Sequence, residues 1–114
     1  MTDPNLSLVL DELDSAKRKH PHFVDRMTCL SDVGADTHLD FMRNHLNTSI
    51  EANDCDMYAV LLCEFYEAMQ AYTHGDLAHA RQELAQCAAV CIRGMEYIED
   101  EIAGQHTTKE AAND

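Results

Sequence analysis

The sequence predicts an all-α fold, a bundle of about four antiparallel helices that assembles as an oligomer. Apolar residues recur every three or four positions along most of the 114-residue chain, whereas the alternating pattern of strands is nearly absent. The composition, 46% hydrophobic and 25% charged, is that of an ordinary globular domain. Because one core usually needs about 100–150 residues, we expect a single domain over residues 1–103. The polar residues 104–114 are expected to form a flexible tail.

The first helix is predicted over about residues 5–19, where Leu6, Val9 and Leu13 share a face. It should end before Pro21, because the residue preceding a proline is pushed out of helical geometry. Residues 28–36 mix serine, aspartate and glycine, which predicts a loop.

Two further helices are predicted over about residues 37–51 and 55–73. The third helix is apolar on more than one side and must therefore be covered on more than one side. Each helix follows residues that can cap an N-terminus by accepting a backbone hydrogen bond. The candidate caps are Asp36 or Thr37 for the second helix and Asn53 or Asp54 for the third.

The longest helix is predicted over about residues 77–103. Gly75 is typical of a residue that ends the third helix, and Asp76 of one that caps the fourth. So short a turn makes the two helices an antiparallel hairpin. The run at residues 58–63, YAVLLC, is apolar in too many directions for one small bundle, so we expect a homodimer or a dimer of dimers.

The net charge of −13 excludes whole classes of partner. Binding to a DNA or RNA backbone requires clustered lysine and arginine, so we expect no nucleic acid and, equally, no anionic membrane as partner. No apolar run approaches the roughly 20 residues of a membrane span, and the acidic N-terminus is unlike a signal peptide. Together with five cysteines that form no C-x-x-C motif, this predicts a cytoplasmic protein without a disulfide framework.

Polar pairs interrupt the apolar stripes of the third and fourth helices. Glu64 and Glu67 are three residues apart and share a face, as do Glu83 and Gln86 on the next helix. The antiparallel hairpin can bring the two pairs opposite one another. Buried carboxylates cost several kcal/mol each unless a cation neutralises them. Oxygen ligands favour Mg²⁺ or Mn²⁺, so a metal site at these four residues is one interpretation.

Simpler interpretations remain open for these and other polar residues. An acidic chain often carries E-x-x-E on a solvated helix face. The seven histidines show no zinc-ligand spacing and are expected at the surface. Lys17, Arg18 and Arg93 are candidate contacts for phosphate groups, but the first two equally suit the negative end of a helix dipole.

Two stretches accompany the acidic pairs. Residues 75–90 follow the pattern G-D-L-x-x-x-R-x-E-L-x-Q-x-A-A-V, and residues 9–20 read VLDELDSAKRKH. With the segment 61–99, they resemble the MazG-like nucleotide pyrophosphohydrolases of the all-α NTP pyrophosphatase superfamily, in a short phage and bacterial branch.

The acidic motifs of that family match this chain at three of their five acidic positions. Its E-E-x-x-E motif falls on Cys63, Glu64 and Glu67, and its E-x-x-D motif falls on Glu83 and Gln86. Two of the five family carboxylates are therefore replaced here, by Cys63 and by Gln86. The resemblance implies metal-dependent hydrolysis of a nucleoside triphosphate to the monophosphate and pyrophosphate, in a homo-oligomer.

Two alternatives to an active hydrolase follow from the sequence. Loss of ligand charge at Cys63 and Gln86 weakens attraction for a divalent cation, so the chain could be a module that binds nucleotide without cutting it. The charge of −13 instead suggests an interaction protein that mimics a polyanion.

Overall fold

Four α-helices form all the regular secondary structure of residues 3–104, the part of the chain that the structure, a computed structural model, describes. They are α1 (Pro4–Lys19), α2 (Asp32–Glu51), α3 (Met57–Thr73) and α4 (Leu77–Ile102). The predicted all-α class and the number of helices are therefore confirmed. Across residues 3–104, none of the helices combines the length and apolar character needed to cross a membrane.

Helix α1 begins and ends as its sequence predicts. Asp3 caps it by accepting a hydrogen bond from the backbone N–H of Asn5, and Pro4 occupies the first turn, where its missing N–H costs nothing. The last turn carries Lys17, Arg18 and Lys19, which favour the negative end of the helix dipole.

Helix α2 begins earlier than predicted, inside the expected loop at residues 28–36. Ser31 is its N-cap, because the hydroxyl accepts a hydrogen bond from the N–H of Gly34 at 3.0 Å. Asp32 in the first turn further stabilises the positive end of the helix dipole. The expected caps Asp36 and Thr37 were wrong, since both already lie within the helix.

Helix α3 likewise has a cap that the sequence prediction missed. The carboxylate of Asp56 accepts from the N–H of Ala59 at 2.9 Å, so neither Asn53 nor Asp54 caps the helix. Asn53 instead turns the chain after α2 with a φ of 55°. This left-handed conformation is one that asparagine tolerates better than most residues.

The turn between α3 and α4 confirms the prediction in detail. Gly75 has a φ of 83°, its N–H donates to the carbonyl of Tyr72, and the N–H of Asp76 donates to the carbonyl of Ala71. These two bonds form a Schellman motif, which requires a left-handed residue at Gly75. Asp76 then caps α4 by accepting from the N–H of His79 at 3.2 Å.

The chain divides into two compact units. We call residues 24–91 the central unit. It contains α2, α3 and the first part of α4. Helices α2 and α3 are antiparallel, because Asp36 near the start of α2 contacts His74 after the end of α3, and Arg43 further along α2 contacts Glu67. Every buried residue of the described chain belongs to this unit. The buried set is Ala35, Leu39, Met42, Ala59, Cys63, Ala68, Met69, Ala71, Ala80 and Glu83.

We call residues 1–23 together with 92–114 the terminal unit, of which residues 3–23 and 92–104 are described. It contains α1 and the end of α4. Asp3 and Pro4 share an open cleft of about 350 Å³ with Glu96, Glu99 and Asp100. No residue of α1 is buried, so the stripe predicted for this helix lies open in the described chain. The predicted tail lies outside the described residues from position 105 onward.

Candidate metal centre

Three carboxylates from two helices meet at one point of the central unit. Glu64 and Glu67 project from α3 and Glu83 from α4, with one oxygen of each within 4.8 Å of the other two. Glu83 is only 6% exposed and is the one buried charged residue among residues 3–104. The two glutamates of α3 are half-buried. The sequence prediction that these three side chains converge is therefore met by the structure.

Local packing directs the three side chains inward. On α3 the glutamates are neighbours of Cys63 and Ala68, which are 4% and 0% exposed. On α4, Glu83 lies three residues after buried Ala80 and therefore shares its helix face.

Crowding and burial disturb the protonation of all three acids. Burial, a hydrogen bond to Glu83 and repulsion from the other two carboxylates together raise the pKa of Glu64 from 4.5 to about 7. Burial also raises the pKa of Glu67, although Arg43 opposes the shift. Burial acts on Glu83 too, but hydrogen bonds from Glu64, Glu67 and His79 outweigh it and lower its pKa. The trio thus holds fewer than three negative charges near neutral pH unless a cation joins it.

The Gln86 side chain contacts two members of the trio. The end of its carboxamide that faces the acids lies 2.6 Å from Oε2 of Glu64 and 3.3 Å from Oε2 of Glu83. With the nitrogen in this position, Gln86 donates a hydrogen bond to each carboxylate. With the oxygen there, it presents a fourth oxygen that can accept the O–H of a protonated Glu64 or, together with the acids, bind a cation. The structure brings all four sequence-predicted ligands together.

Two partners of the trio were not among the predicted site residues. Nη2 of Arg43 lies 3.4 Å from Oε1 of Glu67, and Nε2 of His79 lies 3.0 Å from Oε1 of Glu83. The spacing of four residues between His79 and Glu83 could have revealed the second contact, because such residues are neighbours on a helix. Arg43 lies on another helix, and no local spacing indicates its contact.

Cys63 lies where the family pattern has a glutamate. Its thiol is 4% exposed and donates to Oε1 of Glu67 over 3.9 Å. Burial raises the pKa of Cys63, and repulsion from Glu67 adds to the shift, so the thiol stays protonated. This position therefore adds no charge to the trio. All five cysteines of the chain are free.

The predicted phosphate contacts Lys17, Arg18 and Arg93 belong to the terminal unit and are exposed. Arg18 forms an ion pair with Asp14 one turn earlier in α1, at 3.2 Å. Exposed pairs of this kind contribute little to stability. A role for these three residues in nucleotide binding stays a prediction.

The donor set fits a small divalent cation. Carboxylate and carboxamide oxygens are hard ligands of the kind that Mg²⁺ and Mn²⁺ prefer. Ligands of one ion at about 2.1 Å lie at most about 4.2 Å apart, and the three carboxylate oxygens, all within 4.8 Å of one another, are close to that limit. Coordination would also relieve the repulsion that raises the pKa of Glu64 and Glu67.

Comparison with known proteins leaves the family open. No protein-family model, no curated protein and no solved structure matches the chain. The functional assignment therefore depends on the chemistry of the trio and on the motif resemblance.

Proposed function

We propose that the protein is a divalent-metal-dependent nucleotide pyrophosphohydrolase of MazG-like type. Its reaction is the hydrolysis of a nucleoside triphosphate to the monophosphate and pyrophosphate. One observation carries the proposal: Glu64, Glu67 and Glu83 converge within 4.8 Å of one another, next to buried apolar residues of α3 and α4. Three carboxylates held this close repel one another and destabilise the fold, and a bound cation would offset that repulsion.

The protein's part in the reaction is to hold the metal ion and to orient the triphosphate. Glu64, Glu67 and Glu83 are the carboxylate ligands, and Gln86 contributes a neutral carbonyl oxygen. The Mg²⁺ or Mn²⁺ ion supplies Lewis-acid polarisation and neutralises the triphosphate. Phosphoryl transfer depends mainly on positioning and charge stabilisation, so no nucleophilic side chain is required.

A homo-oligomer, either a dimer or a dimer of dimers, is part of the proposal. Helix α3 exposes 64% of Tyr58, 42% of Met57 and 39% of Phe65 in the single chain. Apolar side chains grouped on one helix at this exposure favour burial against another protein surface. A second copy of the same chain would cover them.

A nucleotide-binding module without turnover is the second candidate. It is favoured by the uncharged side chains at Cys63 and Gln86, which leave three carboxylates where the family pattern has five. Fewer anionic ligands lower the affinity for a divalent ion and the positive charge that can be held for catalysis.

Measurement of pyrophosphate release separates the candidates. Purified protein is incubated with Mg²⁺ or Mn²⁺ and a panel of ribo- and deoxyribonucleoside triphosphates, and the variant Glu83→Gln serves as a matched control. The hydrolase predicts release that requires the metal and is lost in Glu83→Gln. Nucleotide binding in calorimetry without release from any substrate would favour the binding module. If the protein neither binds these nucleotides nor releases pyrophosphate from them, the proposal is overturned.

A further inference from the structure

Arg43 is the cationic side chain that the central unit directs at the glutamate trio. It follows Met42 and lies four residues after Leu39, so it emerges at the edge of the buried stripe of α2. Its guanidinium reaches Glu67 on α3, with 3.4 Å between Nη2 and Oε1. The central unit contains three arginines, Arg26, Arg43 and Arg81, and no lysine. Of these three arginines, only Arg43 pairs with a glutamate of the trio among the described contacts.

The contact with Glu67 uses little of the binding capacity of Arg43. It joins one nitrogen to one oxygen at a long distance, although a guanidinium has five N–H donors in a planar fork. The Arg43 side chain is 49% exposed, whereas that of Glu67 is 24% exposed. The remaining donors therefore face solvent beside the trio rather than a protein partner.

We propose that Arg43 binds a phosphate group of the substrate at this site, an inference that rests on the proposed function. A nucleoside triphosphate carries roughly four negative charges and approaches a unit rich in acids, so binding requires protein cations as well as the metal. Arginine and phosphate form short bidentate pairs that are about twice as strong as neutral hydrogen bonds. If Glu67 held the metal, its carboxylate would have less charge with which to hold the guanidinium, and Arg43 would be free to turn to the phosphate.

The inference differs from the expectation drawn from the sequence alone. The phosphate contacts predicted from the sequence were Lys17 and Arg18, which belong to a basic cluster, and Arg93, which lies on the fourth helix. Arg43 instead lies at the trio, with Nη2 3.4 Å from Oε1 of Glu67, within the same compact unit. It can act on a triphosphate held at Glu64, Glu67 and Glu83 without any contribution from the terminal unit.

Binding measurements with metal and phosphate separately test the assignment. Wild type, Arg43→Ala, Arg43→Lys and the control Arg81→Ala, which removes an exposed arginine of the same unit, are first titrated with Mn²⁺ by electron paramagnetic resonance. They are then titrated with inorganic tripolyphosphate by calorimetry at saturating Mn²⁺. If Arg43→Ala does not fold, Arg43→Gln takes its place under the same expectations.

We expect Arg43→Ala to weaken tripolyphosphate binding by about tenfold or more while Mn²⁺ affinity stays within about threefold of wild type. The tripolyphosphate affinity of Arg43→Lys should lie between those of wild type and Arg43→Ala, because lysine keeps the positive charge but lacks the planar array of N–H donors. Arg81→Ala should bind tripolyphosphate like wild type. Equal tripolyphosphate binding in Arg43→Ala and Arg81→Ala overturns the assignment. So does a joint loss of Mn²⁺ and tripolyphosphate binding, which would make Arg43 a structural partner of Glu67. A wild type that binds no Mn²⁺ overturns the proposed function as well, and this is seen before any variant is measured.

Discussion

Nε2 of His79 lies 3.0 Å from Oε1 of Glu83, one helical turn away on α4. The other ring nitrogen lies 3.7 Å from Oδ2 of Asp76, the residue that caps the same helix. The imidazole thus links an exposed helix cap to the most buried carboxylate of the trio. This contact within α4 adds to the hydrogen bonds that Glu64 and Glu67 of α3 make to Glu83.

Replacement of His79 by alanine should weaken metal binding. Residues that hydrogen-bond to a metal ligand orient it, and their loss typically costs about 10–100-fold in affinity. We expect Mn²⁺ affinity in His79→Ala to fall by about tenfold, with the helical content measured by circular dichroism unchanged. His45→Ala, which removes an exposed histidine of α2, is the control. An unchanged Mn²⁺ affinity in His79→Ala would show that Glu83 needs no such support.

The stability of the metal-free protein should decrease as the pH rises from about 4.5 to 7. Burial and repulsion raise the folded-state pKa of Glu64 to about 7 from an ordinary value of 4.5. In this window the folded chain keeps the proton that the unfolded chain releases, so each rise in pH favours unfolding. Thermal melts across the window should show a smaller slope for Glu64→Gln than for wild type or for the exposed control Glu12→Gln. If the melting temperature depends on pH equally in all three proteins, Glu64 does not have a raised pKa in the folded chain.

A second pair, Asp36 and His74, should stabilise the contact between α2 and the end of α3 in mildly acidic solution. The hydrogen bond between them lowers the pKa of Asp36 and raises that of His74. The stability from Asp36 is present above its ordinary value of 3.8, and that from His74 is present below its ordinary value of 6.5. A double-mutant cycle with Asp36→Ala and His74→Ala should therefore give a larger coupling at about pH 5.5 than at about pH 8.5. Equal couplings at the two pH values would contradict the charged pairing.

Restoring a carboxylate at position 63 should increase metal affinity and reduce stability without metal. Cys63 is 4% exposed and contacts Glu67, so a glutamate there adds charge to a crowded, buried cluster. We expect Cys63→Glu to melt at a lower temperature than Cys63→Ser in the absence of metal. It should bind Mn²⁺ about tenfold more tightly, because affinity follows the charge of the ligands. An unaltered Mn²⁺ affinity would place position 63 outside the ligand set.

The sequence predicted which segments form helices more accurately than it predicted the residue at which each helix begins. Three of the four helices begin within about two residues of their predicted starts, because apolar periodicity and the turn at Gly75 are strong local signals. The start of α2 was wrong because Ser31, Asp32 and Gly34 occur in loops and in helix N-termini alike. The hydrogen bond from the N–H of Gly34 to the hydroxyl oxygen of Ser31 shows that these residues begin a helix.

The candidate site was predictable where spacing along one helix determines it. Glu64 with Glu67, and Glu83 with Gln86, share faces by their separation of three residues. Arg43 could not be predicted in the same way, since its contact with Glu67 spans 24 residues and depends on how α2 packs against α3. Contacts of this kind follow from tertiary packing and leave no periodic signal.

Crystals soaked in Mn²⁺ and measured at the manganese absorption edge test the central claim most directly. The account predicts an anomalous peak at about 2.0–2.3 Å from carboxylate oxygens of Glu64, Glu67 and Glu83, with Gln86 turning its oxygen toward the ion. The same soak of Glu83→Gln crystals should show a weaker peak or none. Strong peaks elsewhere on the protein with none at these three residues, or the three carboxylates turned apart into solvent, would contradict it.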